Sequence, residues 1–273
     1  ALALVPDPEV RARVAELSSA AADHLEAHHM KLIDANGQRT THGNLAGYIA
    51  GVPIGVNSLI ALAIAKVAAV STGEARYEAF YDRLVRAQYP EAAYWAHFTV
   101  LGVVNRVNDN MSYLALYPIL LLETRKDVLS TLRSAEARTW RAVCRDRNAF
   151  FAFVHASQAA RSGGDEPDGL PPGREEGRES LREFPEDKLE WPVDLTREGF
   201  LFERSFLNTR KGDPRAVEGV PLYLRSRSSS FWASDPFRLV GNLARTGDHE
   251  TAGGDYLLAY WMGRYHCFIG ADE

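Results

Sequence analysis

At 273 residues, 46% of them hydrophobic, the chain can bury a sizeable core and suits a single domain. Its 31 basic and 36 acidic side chains leave a net charge of -5, which argues against a surface built to track nucleic-acid phosphates. The two cysteines, Cys144 and Cys267, have no C-x-x-C spacing and are too few for a disulfide framework, so the redox compartment stays open.

The opening Ala1-Leu2-Ala3-Leu4 before Pro6 suits the trimmed end of a secretion signal as well as a plain chain start. Localisation therefore stays open between secreted or periplasmic and cytoplasmic. From residue 8 to 32, Val10, Val14, Leu17, Ala21 and Leu25 recur three or four apart, the spacing of one buried helix face. Asp34-Ala35-Asn36-Gly37 stops that helix, and a polar loop rich in Thr, His and Gly is expected next.

An Ala-rich helix is expected over residues 56–70, apolar on several faces and so placed between neighbours. Its apolar run from Leu59 to Val70 is interrupted by Lys66 and is too short to span a bilayer, so no membrane span is expected. Gly73 supplies the stop. Glu74 opens a third helix that carries Tyr77, Phe80, Tyr81 and Leu84 on one side, making an antiparallel helical hairpin with a very short link.

Further helices fit residues 90–100, 110–123, 126–144 and 147–160. Composition then changes: residues 163–190 hold ten acidic and four basic side chains among many Gly and Pro, which reads as a long acidic loop or lid. Residues 191–234 read as irregular with one short β-hairpin, and residues 254–269 as a buried closing helix. The fold class is thus mainly α, with a loop-rich C-terminal third.

Three polar clusters could carry chemistry. Asn105, Arg106, Asn108, Asp109, Asn110, Ser112 and Tyr113 crowd the start of one helix. Asn108 or Asp109 suffices for a helix cap, and the surplus of amides and hydroxyls suits recognition of a polyol. Asp109 is the first candidate for a catalytic carboxylate, or for one that orients a hydroxyl. Second, Asp235 stands among Phe231, Trp232 and Phe237, where an aromatic face could receive the C–H face of a sugar ring. Two acids across a cleft suit general acid and base work.

The third cluster is Asp255, Tyr256, Tyr260, Trp261, Arg264, Tyr265 and His266. Arg264 needs a partner if buried, and His266 could exchange a proton near neutral pH. Catalytic candidates are therefore Asp109, Asp235 and His266. Substrate-binding candidates are Asn105, Asn108, Tyr113, Trp232, Asp255, Trp261, Arg264 and Tyr265. His24 and His28, four apart, could chelate a metal with His42 or His97, but no third ligand stands at diagnostic spacing, so neither metal nor cofactor is expected. G-x-S-x-G, Walker and G-x-G-x-x-G motifs are missing.

The stretch Lys66-Val67-Ala68-Ala69-Val70-Ser71-Thr72-Gly73-Glu74-Ala75-Arg76-Tyr77 resembles the helix, Thr-Gly turn, helix junction of α/α-toroid proteins, which include six-hairpin glycosidases and polysaccharide lyases. The resemblance covers residues 50–150 and about four hairpins, so it implies a partial or complete toroid with a concave site formed by the loops at one end. Fold likeness alone does not give the reaction.

Three functions fit these observations. The leading one is an enzyme acting on a sugar-like or hydroxyl-rich small molecule, a glycoside hydrolase or lyase, through carboxylate and His acid-base chemistry. A dehydratase, isomerase or cyclase for a less polar alcohol would instead use Tyr113, Tyr260, Tyr265 and His266 in an apolar pocket. A non-catalytic binding module would use the acidic segment 163–190 as a docking arm. Oligomeric state is not legible.

Overall fold

A computed structural model describes residues 6–97, 99–100, 103–104, 106–162, 172–184, 194–203, 214–225, 232, 235–240 and 253–271. The chain is mainly helical with a few short antiparallel strand pairs. It divides into two compact units, residues 1–97 with 111–139, and residues 98–110 with 140–273.

In the first unit, α1 (Pro8–Ala27) starts at Asp7, whose carboxylate accepts the backbone N–H groups of Glu9 and Val10. Its buried residues are Ala22 and Leu25, while Leu17 points outward and is 57% exposed. Of the expected face, Leu25 is buried and Val10, Val14 and Ala21 are half-buried, so Leu17 alone departs from it; Ser18 beside it is half-buried and bonds Ser71 at 2.8 Å. The helix also ends at His28 rather than near residue 32.

Where a polar loop was expected, β1 (Lys31–Ile33) pairs with β2 (Arg39–Asn44). Asp34 closes the turn by accepting the N–H groups of Asn36 and Gln38, and Gly37 takes the left-handed backbone there. A second hairpin joins β3 (Tyr48–Ile49) to β4 (Val52–Pro53) through Ala50 and Gly51.

Helix α2 (Gly55–Thr72) is the core element, buried on several faces as its composition predicts. It is the one described helix long and apolar enough to cross a membrane, and half of it is buried in the protein. Gly73 at φ 70° ends it, its N–H bonded to the Ala69 carbonyl. Helix α3 (Ala75–Arg86) follows and buries Tyr77, Phe80, Tyr81 and Leu84, the expected face. Helix α4 (Tyr89–Ala92) is one turn, continued by a 3-10 turn at residues 93–95, so the helix expected over 90–100 is cut short. Residues 99–100 and 103–104 instead form the pair β5 (Thr99–Val100) and β6 (Val103–Val104).

Helices α5 (Arg106–Leu122) and α6 (Lys126–Val143) complete the unit's core, with Leu116, Ile119, Leu120, Val128 and Leu132 packed beside Leu59, Leu62 and Leu84. Helix α5 starts before residue 110, so Asn108 and Asp109 lie inside its first turn rather than capping it.

The second unit is organised on α7 (Ala149–Ser162), which Asn148 caps by accepting the Phe151 N–H at 3.1 Å. Within the stretch read as an acidic loop, residues 173–182 form α8 (Gly173–Arg182). Residues 163–171 and 185–190 lie outside the described residues. Helix α8 sits against α7 through Gly173 and Gly177: a Cβ on Gly173 would come 2.5 Å from the Ala152 carbonyl oxygen. Its exposed residues are Arg174, Glu175, Glu179 and Arg182, charges of both signs.

Beyond it, β7 (Phe202–Glu203) pairs with β8 (Arg215–Ala216), and Leu195, Ala216, Val220 and Leu239 form a small cluster of their own. Helix α9 (Gly254–Tyr265) packs on α7 and α8 through Ala259, Met262 and Gly263. It is not buried throughout, because Leu257, Leu258, Trp261 and Tyr265 face solvent. Cys144 is buried and Cys267 exposed, and both are free thiols.

Candidate functional site

Arg106, at the start of α5, is the hub of a buried charge cluster in the second unit. Its Nη1 donates to Asp109 Oδ2 at 2.9 Å, one turn along the same helix. Its Nη2 donates to Asp146 Oδ1 at 2.9 Å, and its Nε lies 2.9 Å from Asp146 Oδ2, so the guanidinium meets Asp146 edge-on. Arg106, Asp109 and Asp146 are all buried.

Arg225, equally buried, donates from Nε to the Val220 carbonyl at 2.8 Å and from Nη2 to the Asp146 carbonyl. Burial pushes the Asp146 carboxyl up to about 7; Arg106 and Arg225 pull it down, and the Asp109 and Asp235 charges add to the rise. Burial likewise lowers Arg225 to about 10.

Asp235 belongs to the same neighbourhood. Both of its oxygens accept from Arg215, at 2.5 and 2.8 Å, and Oδ1 also takes the Phe237 N–H. The Phe237 ring has the Arg106 guanidinium 5.8 Å from its centre and that of Arg215 5.9 Å away. Asp109 and Asp235, proposed from separate stretches of sequence, are thus both tied to arginines around one phenyl ring. Asp146 joins them and carried no sequence signal beyond its own charge.

The remaining candidates are distributed differently. Asn105 lies outside the described residues. Asn108 stands half-buried in the first turn of α5, and Tyr113 is buried farther along it, in the first unit. Trp232 is buried rather than presented as a platform. Its carbonyl accepts from Asn148 Nδ2 at 3.0 Å and its indole N–H donates to the Asp255 carbonyl at 2.8 Å, so it ties the start of α7 to the start of α9. Phe184 meets it edge-on.

On α9, Arg264 is partly exposed, and Nη1 donates to the Tyr260 hydroxyl at 3.1 Å. Trp261 and Tyr265 are both 61% exposed. His266 stacks on Phe268, and burial with the Arg161 charge lowers its pKa to about 4, so at neutral pH the ring is uncharged and one of its nitrogens can accept a hydrogen bond.

His24 uses Nε2 to accept the Ile33 N–H at 3.0 Å, which gives that imidazole a structural task at the β1 strand. Among the described residues no group of three or more His, Cys, Asp or Glu is arranged to hold a metal ion.

A second buried charge cluster, in the first unit, escaped sequence reasoning. Glu123 accepts from Tyr81 Oη at 2.7 Å, from the N–H groups of Thr124 and Arg125 at 2.8 Å each, and from Arg125 Nη2 at 3.2 Å. Lys66 Nζ stands 3.6 Å from it and 4.7 Å from the centre of the Tyr81 ring. Burial alone would raise the Glu123 pKa, but these donors and the Lys66 charge outweigh it and bring the group from 4.5 to about 2. Lys66 is thus the partner of a carboxylate at the far end of α5, rather than a break in an apolar run. The two backbone bonds also fix the short link between α5 and α6.

Compared with protein-family models, with curated proteins and with solved structures, the chain matches none of them.

Proposed function

We propose that this chain is an enzyme that exchanges protons with a sugar-like, hydroxyl-rich small substrate, of the glycoside hydrolase or lyase type, in a helical frame of the α/α-toroid kind. The observation that carries the reading is the gathering of Asp109, Asp146 and Asp235 around Arg106, Arg225 and Arg215. Burying several charges together costs several kcal/mol each before pairing offsets it, of order 10 in all, and such concentrations favour chemistry over plain stability.

Within the proposal the three carboxylates divide the work. Asp109, held by Arg106 within one turn of helix, orients. Asp146, whose carboxyl burial raises to about 7, is assigned the proton donor. Asp235, more open and paired to Arg215, is the base. The amide of Asn108 belongs on the substrate hydroxyls, and Trp232 ties the start of α7 to the start of α9. Polar and charged groups around the carboxylates favour a hydroxyl-rich substrate over an apolar alcohol.

The test is a panel of chromogenic glycosides and oligosaccharides at neutral pH, read by reducing ends and by ultraviolet absorbance of unsaturated products. Asp146→Asn and Asp235→Asn are each expected to lower turnover by about 100-fold or more, the scale of lost acid or base catalysis, with the helical circular dichroism kept. Turnover retained in both variants, or no turnover of any substrate by the native chain, overturns the reading.

A further inference from the structure

The first unit presents two neighbouring aromatic rings to solvent with one arginine lying over both. Tyr94 is 43% exposed and Trp95 45%. They stand edge to face, ring centres 5.9 Å apart and planes at 81°. The Arg138 guanidinium, from α6, has its carbon 4.7 Å from the centre of the Tyr94 ring and 5.3 Å from that of Trp95. We propose that this aromatic corner binds an acidic sugar: the carboxylate of a uronate meets Arg138 while the sugar ring rests on Trp95 and Tyr94.

The guanidinium is fixed in place and only partly used. Its Nη1 donates to the backbone carbonyls of Tyr94 at 2.7 Å and His97 at 3.0 Å, which takes both protons of that nitrogen. Among the described residues Nε and Nη2 have no hydrogen-bond partner, and no carboxylate pairs with Arg138. Nε and Nη2 form the planar fork that matches the two oxygens of a carboxylate. Arg106 offers that same edge to Asp146, at 2.9 Å on each side. On Arg138 it is left for a ligand.

The rings are held as firmly as the cation. They belong to the 3-10 turn at residues 93–95, flanked by the buried Ala92 and Ala96, with Ala93 itself buried. A Cβ on Gly55, where α2 begins, would come 2.2 Å from the Ala96 nitrogen, so the turn sits directly on the core helix. Little backbone has to be ordered when a ligand arrives.

A single exposed aromatic needs no explanation, but two on one turn with a shared, unpaired guanidinium make a composite surface. Aromatic faces carry negative potential, and the C–H bonds on one side of a sugar ring are weakly positive, so the two stack while the hydroxyls keep their water. The surface is open rather than enclosed, which suits successive units of an oligosaccharide more than one small molecule. The choice of a sugar rests on the proposed hydroxyl-rich substrate; the choice of an acid rests on Arg138.

The experiment is calorimetric titration of the full chain with tetragalacturonate, with its methyl ester, which keeps the rings and linkages without the charge, and with ADP, a stacking anion of another class. Saturable binding of tetragalacturonate is expected, about ten-fold or more tighter than that of the ester or of ADP, the scale of hydrogen bonds to a charged group. Arg138→Gln should bring the acid to the affinity of the ester, and Arg138→Lys, with charge but no fork, should fall between. Trp95→Ala, at an exposed side chain, should weaken acid and ester alike several-fold with the melting transition kept.

Equal binding of acid and ester by the native chain, an acid preference kept in Arg138→Gln, undiminished binding in Trp95→Ala, tighter binding of ADP, or no saturable binding of tetragalacturonate overturns the assignment. Uronate bound through Arg138 with no turnover of any substrate would leave this site standing and remove the catalytic reading. Turnover without such binding would do the reverse.

Discussion

The Phe153 ring fills the recess that Gly177 leaves by having no side chain: a Cβ built there would stand 2.6 Å from the ring's Cδ1. Phe153 is fully buried and also touches the recess at Gly263, so it has nowhere to retreat. Gly177→Ala, ordinarily a gain in a helix, is expected instead to destabilise the second unit by about 1–3 kcal/mol, the cost of overpacking. Urea unfolding followed by circular dichroism measures it; an unchanged or raised midpoint counts against the packing described.

The Glu123 cluster should govern acid stability of the first unit. Its carboxyl is lowered from 4.5 to about 2, so the folded state holds the ionised form more tightly than the unfolded state does. That stability is present above pH 4.5 and is lost as pH falls towards 2. At 1.36 kcal/mol per pKa unit the contribution is about 3 kcal/mol. Glu123→Gln is expected to remove this acid dependence and to lower stability at pH 7 by a similar amount. A titration of unfolding free energy against pH that keeps its acid slope in the variant would refute the account.

Lys66 should be costly to alter alone and cheaper to alter with its partner. Lys66→Met leaves the buried Glu123 carboxylate short of a cation, although Tyr81 and Arg125 still donate to it. A loss of about 3 kcal/mol is expected, the lower end for breaking a buried pair. In the double variant with Glu123→Gln the combined loss should fall short of the sum of the two single losses by at least about 0.5 kcal/mol, the coupling seen between contacting residues. Strict additivity would mean that the two side chains do not interact.

Trp232 should act as a tie rather than a surface for ligand. Trp232→Phe keeps most of the buried ring but removes the N–H that reaches the Asp255 carbonyl. A loss of about 1–2 kcal/mol in the second unit is expected. A change in substrate affinity without any loss of stability would point to a ligand role instead.

What could be read beforehand follows from how local each signal was. The α2–α3 hairpin was legible because Gly73 stops one helix and four aromatic or apolar residues at three- and four-residue spacing define the buried face of the next. Helix α8 was not legible, since two glycines in ten residues and a run of charges read as a loop. Those glycines are there for Ala152 and Phe153, partners that chain order does not reveal. Strands of two or three residues, such as β3 and β4, are too short to show alternation. At the candidate site, Asp109 was found because polar residues crowd its stretch, and Asp235 because aromatics flank it. Asp146 was missed because its partner Arg106 is distant in sequence, and nothing near Asp146 announces a buried charge.

The unequal placement of the two thiols has a practical use. Cys267 stands in solvent just past the end of α9, while Cys144 is buried and burial pushes its thiol up, away from the reactive thiolate. A maleimide dye should therefore label the native chain once, just past the end of α9, and a second time only when the interior around Cys144 opens. Counting labels by mass against time would then clock the opening of the second unit, with no residue having to be introduced.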